Sequence, residues 1–156
     1  MILKKYPRKL VGEILVEEGV LSPEDLHKAL EIQEAEGGLI GSILIRMGRI
    51  SEEQLASALC KQLSLPYIQL ANYRINPEAP RIIPKELAER HLFFPFEQDA
   101  MGVSLAMSNP LDREALEAIQ RRVPSSRLQV FLGRVSDIKT AIDRYYEEII
   151  PKDSNR

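Results

Sequence analysis

The stretch LVGEILVEEGVLSPEDLHKALEIQ, residues 10–33, is written again at residues 39–62 as LIGSILIRMGRISEEQLASALCKQ. Each copy is 24 residues long, five residues separate them, and they agree at 11 positions without a gap. The punctuation repeats as well as the letters. The first copy reads as a short helix over residues 11–18, ended by Gly19 in the left-handed conformation that glycine adopts without strain. Ser22 then caps a longer helix with Pro23 in its first turn, where a missing N–H costs little. Leu26, Ala29, Leu30 and Gln33 follow at spacings of three, one and three, which places them on one helical face. The second copy reads as a helix over residues 40–47, stops at Gly48 and restarts at Ser51, which forms a capping-box pattern with Gln54. Leu55, Ala58, Leu59 and Gln62 repeat the face. Two helical hairpins related by a local pseudo-twofold, or a similar operation, are predicted.

Two features fit poorly with simple helix packing. Gly12 and Gly41 stand third in their copies, inside the first turn of a predicted helix. Glycine in a helix interior costs roughly 0.5–1 kcal/mol relative to alanine. Its use there implies the close approach of another element, or of a ligand to free N–H groups at a helix start, which suit phosphates. Gln33 and Gln62 continue leucine faces where a fourth apolar residue is expected. A carboxamide supplies two donors and an acceptor, so it either caps a neighbouring backbone or reads the edge of a base. Taken alone, the leucines at 26, 30, 55 and 59 are core residues.

Outward from the repeats the texture changes. Residues 1–70 hold six of the eight glycines, and residues 71–156 hold seven of the ten prolines. The prolines of LANYRINPEAPRIIP interrupt any helical pattern, so residues 71–75 read as the connection between an all-helical tandem-repeat subdomain, residues 1–70, and a second subdomain, residues 76–150. In the second part LFFPFEQ, GVSLAM and RLQVFL read as strands, and PKELAERH, LDREALEAIQRRV and SDIKTAIDRYYEEI as helices. The predicted class is α+β, a helical repeat followed by a small three-stranded α/β subdomain. Residues 151–156, PKDSNR, read as a frayed, disordered tail.

The composition excludes several functions. A net charge of −2 gives no global attraction to nucleic acid or anionic lipid. No apolar run approaches a membrane span, and the basic start MILKKYPRK lacks a signal peptide's apolar core. Lys4, Lys5, Arg8 and Lys9 form a solvated tail or a local aid to binding phosphates. The one cysteine, Cys60, excludes an internal disulfide and a cysteine-rich zinc site. His27 and His91 belong to no metal-ligand spacing, and neither a phosphate-binding Gly-x-x-x-x-Gly-Lys-Ser/Thr loop nor a Gly-x-Ser-x-Gly elbow occurs. No catalytic constellation is present, so a binding module is expected, not an enzyme.

The tandem 24-residue motif, with its five-residue spacing and terminal glutamines, resembles the MshEN-type domain at the N-terminus of type II secretion and type IV pilus assembly ATPases. IIPKELAERHLFFPF, AMSNPLDREAL and IDRYY resemble the region that follows it, so the likeness covers residues 9–147. It implies a cytoplasmic module, held at the inner face of a bacterial inner membrane through partners, that binds the second messenger cyclic di-GMP with one motif on each half. By the same resemblance Gly12 and Gly41 lie beside the ligand, and Leu26, Leu30, Leu55 and Leu59 pack on guanine faces. Gln33 and Gln62 make polar contacts, and Val11 and Ile40 replace a second-position leucine. The implied alternative is a docking module of the same machinery, contacting an inner-membrane platform protein or an ATPase subunit without nucleotide. The family motif opens with Arg-Leu-Gly, but Leu10 stands at the arginine position and the nearest arginine is Arg8. An ATPase would also need a C-terminal domain that these 156 residues do not contain.

Overall fold

A computed structural model describes residues 9–149, with side chains to residue 146. The basic residues before Lys9 and the expected tail at 151–156 lie outside the described residues. Two compact units divide between Leu65 and Pro66.

The first unit holds four helices, α1 (Val11–Glu17), α2 (Pro23–Glu36), α3 (Ile40–Arg46) and α4 (Glu52–Leu63). The repeats share their helix endings and caps bond for bond. After α1, Gly19 adopts φ +74°, its N–H donates to the Val16 carbonyl and that of Val20 to Leu15. After α3, Gly48 adopts φ +74°, with Gly48 donating to Ile45 and Arg49 to Leu44. Both are Schellman endings, in which a left-handed residue lets the last carbonyls be satisfied. Ser22 and Ser51 each accept a bond from the N–H three residues on, at 3.1 Å, as caps of α2 and α4. Only α4 completes the box, with the Gln54 carboxamide accepting from the Ser51 N–H at 2.9 Å.

The hairpins interlock. α1 packs chiefly on α4 and α2 on α3, so each short helix lies against the long helix of the other repeat. Val11, Leu15, Leu21, Ala29, Ile43, Leu44, Ile50 and Ala58 form the core between them.

The second unit contains α5 (Lys85–His91), β1 (Phe93–Asp99), β2 (Gly102–Met107), α6 (Arg113–Arg122), β3 (Leu128–Leu132) and α7 (Val135–Ile149). Strand order is β1-β2-β3; β1 and β2 form an antiparallel hairpin, and β2 runs parallel to β3 through the α6 crossover. Phe94, Phe96 and Ala106 pack on Ile138, Ile142 and Tyr146 of α7. Phe93, Leu105, Met107 and Leu132 on the opposite face are equally buried.

The expected connection at 71–75 is built into this unit. Leu132 donates to the Pro66 carbonyl and accepts from the Ile68 N–H, extending the sheet beyond β3, while Leu70 and Ile75 enter the core. Prolines stop helices but do not stop a segment from packing, which is why composition misplaced the division by several residues.

Candidate functional site

Four local contacts assemble the candidate residues. A Cβ built on Gly12 would lie 2.7 Å from Leu26 Cδ1, and one on Gly41 would lie 2.7 Å from both Leu55 methyls. The missing side chains therefore admit a leucine from the next helix of the same repeat. Gln33 Nε2 donates to the Gly38 carbonyl at 3.0 Å, and Gln62 Nε2 donates to the Lys9 carbonyl at 3.1 Å. Gly38 and Lys9 are the residues just before the second and first repeats.

These contacts close a circuit. The strip Leu26, Leu30, Gln33 runs along α2 from the start of α1 to the start of α3, about 10 Å at 1.5 Å per residue. Leu55, Leu59 and Gln62 return along α4 from the start of α3 to the start of α1. The strips are thus antiparallel and pseudo-equivalent, with Leu10 and Leu39 at opposite corners.

The strips are not sealed. Leu26, Leu55 and Leu59 are half-buried, Leu30 is 45% exposed, and Leu10 and Leu39 are 65% and 56% exposed. Val11, Gly12 and Gly41 lie in the core and Ile40 is half-buried, so these four support the strips from behind. Sequence reasoning left Leu39 out, although it matches Leu10 in the repeat register. Both copies therefore open with leucine.

Residues 9–65 contain ten carboxylates against five lysines and arginines. Four of those cations face carboxylates: Lys9 with Glu17, Arg46 with Glu36, Arg49 with Asp25 and Lys61 with Glu18. The hydrogen bond to Glu17 holds the Lys9 ammonium above its usual range. Burial alone raises the Cys60 thiol, the opposite of what a reactive cysteine needs. Among the described residues no cluster of three or more His, Cys, Asp or Glu is placed to hold a metal.

A shallow cleft of about 430 Å³ lies elsewhere on this unit, lined by Lys28, Glu31, Ile32, Ala35, Glu36 and Met47. It contains none of the candidate residues. Ile32 and Met47 correspond in the repeat register to Lys61 and Glu18, an ion pair, so the cleft breaks the pseudo-symmetry.

Residues 63–150 match the family model described as the MshEN domain, a span covering the last residue of α4 and the second unit. The chain is 35% identical over 138 residues to the type IV pilus assembly ATPase PilB of Myxococcus xanthus, covering 88% of this chain and 24% of that protein. It is 32% identical over 179 aligned positions to PilB of Thermus thermophilus, covering 92% and 20%. It thus spans about a quarter and a fifth of those relatives. A solved structure of MshE with cdg superimposes with a TM-score of 0.79 at 34% identity, over 89% of this chain and all of that one. The N-terminal domain of XpsE shares the fold, with a TM-score of 0.69 at 20% identity over 86% of this chain and 92% of that one. A match over more than half of its length, together with these neighbours, shows that the chain belongs to the MshEN domain family.

Proposed function

We propose that the chain is the N-terminal regulatory module of a type IV pilus assembly or type II secretion ATPase, and that its repeats bind one molecule of cyclic di-GMP. The observation that carries this reading is the closed circuit of two antiparallel leucine strips. A ligand made of two identical halves matches a site made of two pseudo-equivalent halves. The cdg in the MshE structure, read as cyclic di-GMP, supports the same ligand here, and the PilB relatives supply the ATPase context.

In this reading Leu26, Leu30, Leu55 and Leu59 cover the purine faces, and their burial contributes about 25 cal/mol per Å² of apolar surface removed from water. Leu10 and Leu39 extend the apolar rim but supply no guanidinium for stacking or bidentate contacts. A hydrogen bond to a charged group contributes about 1.5–3 kcal/mol, so the missing cation weakens binding by one to two orders of magnitude. The test is a titration of the unmodified chain and of Leu10→Arg with cyclic di-GMP. Binding that Leu10→Arg strengthens supports the reading. Absence of binding in both transfers the function to the second reading.

That second reading is a docking module for an ATPase subunit or an inner-membrane platform protein. It is favoured by the twofold excess of carboxylates in residues 9–65, which opposes an anionic ligand and suits a basic partner surface. No described helix is long and apolar enough to cross a membrane.

A further inference from the structure

Each glutamine bonds the residue that leads into the other repeat. Gln33 belongs to the first repeat, yet its Nε2 donates to Gly38 at the entry of the second; Gln62 belongs to the second, yet donates to Lys9 at the entry of the first. Each acceptor lies one residue before Leu39 or Leu10, whose carbonyls accept the first helical bonds of α3 and α1, from Ile43 and Ile14. Neither entry has the serine cap of the long helices, although at α1 the Leu10 N–H donates to the Glu13 carboxylate at 3.4 Å. Ser22 and Ser51 cap α2 and α4, whereas Leu10 and Leu39 offer no side-chain oxygen. A seven-residue helix is marginal without tertiary support. The carboxamide from the other repeat supplies that support.

From this we infer that Gln33 and Gln62 are positioning residues acting in trans between the repeats, each fixing the helix entry and first-position side chain of the opposite half-site. The two halves are thereby assembled as one unit, and neither carboxamide need touch the ligand. The consequence for affinity rests on the cyclic di-GMP reading; the positioning itself does not.

The test begins on the ligand-free chain. Gln33→Met and Gln62→Met keep the side-chain length and remove the donor. Amide hydrogen exchange is expected to accelerate at Ile43 in Gln33→Met and at Ile14 in Gln62→Met, the first bonded amides of α3 and α1. The entry of the substituted residue's own repeat should stay protected. Affinity for cyclic di-GMP should fall about tenfold in each variant. The gain from Leu10→Arg should disappear in the Gln62→Met background and survive in Gln33→Met, a coupling that a general loss of stability does not produce.

Exchange changes confined to the substituted repeat would overturn the inference. So would the absence, in the unmodified chain, of a hydrogen-bond scalar coupling between Gln33 Nε2 and the Gly38 carbonyl carbon, a measurement independent of whether the variants fold. If the unmodified chain ignores cyclic di-GMP, the ligand reading fails while the exchange pattern still decides the positioning.

Discussion

At Gly12 and Gly41 a single missing methyl admits a leucine from the next helix. Alanine there gains about 0.5–1 kcal/mol of helix propensity, but its Cβ meets a leucine methyl at 2.7 Å, and overpacking costs about 1–3 kcal/mol. The nearest atoms are the free ends of half-exposed side chains, which can swing outward, so the lower end of that cost applies. Gly12→Ala is therefore expected to leave the melting temperature within a few degrees of the parent. It should lower cyclic di-GMP affinity by displacing Leu26 along its strip. A large loss of stability instead, with binding intact in the folded fraction, would mean that the glycine serves packing alone. Leu10→Arg tests the neighbouring corner and should tighten binding about tenfold or more at low salt, less at high salt. The matched spacing of the glycines and leucines was legible in the sequence because it is local. The role of the glutamines was only half legible. Sequence left base-edge contact and backbone capping open, and Gln62 meets Lys9 across 53 positions that no periodicity connects.

Helix punctuation carried most of the readable fold. Gly19, Gly48, Ser22 and Ser51 ended and began helices within a residue of where spacing placed them. Ser51→Ala removes both the cap of α4 and its reciprocal bond from Gln54, and should cost about 1 kcal/mol in denaturant unfolding. An unchanged midpoint would mean that water replaces the cap. The strands were legible from their apolar runs, but the parallel pairing of β2 with β3 and the bulge in β1 between Pro95 and Glu97 were not. The bulge serves a polar tie: the Glu97 carboxylate accepts from Asn76 Nδ2 at 3.0 Å and from the Tyr73 hydroxyl at 3.1 Å. The Asn76 bond, then the Gln98 N–H, hold Glu97 below the usual carboxylate range. A depressed folded-state pKa means stability that is fully present above the unfolded value, near 4.3, and lost as pH falls through the folded value. Below about pH 4 the second unit should therefore lose stability more slowly in Glu97→Gln than in the parent. Identical acid sensitivity in chemical denaturation would remove Glu97 from that role.

At the level of the whole chain, the sequence showed two units but placed their boundary by composition, at the prolines. The structure divides them between Leu65 and Pro66, because Tyr67, Leu70 and Ile75 have partners in the sheet and core of the second unit. Such partners lie far along the chain and leave no local mark. The family match falls mainly on that second unit, while the candidate site lies wholly in the first. The proposed function therefore depends on the repeats binding as a pair. Calorimetric titration of the purified chain with cyclic di-GMP, followed by amide NMR, tests this most directly. One ligand per chain is expected, with shifts at the strips of both repeats, residues 26–33 and 55–62, and a gain in affinity on Leu10→Arg. No heat and no shift at millimolar ligand, in the parent and in Leu10→Arg alike, would contradict it.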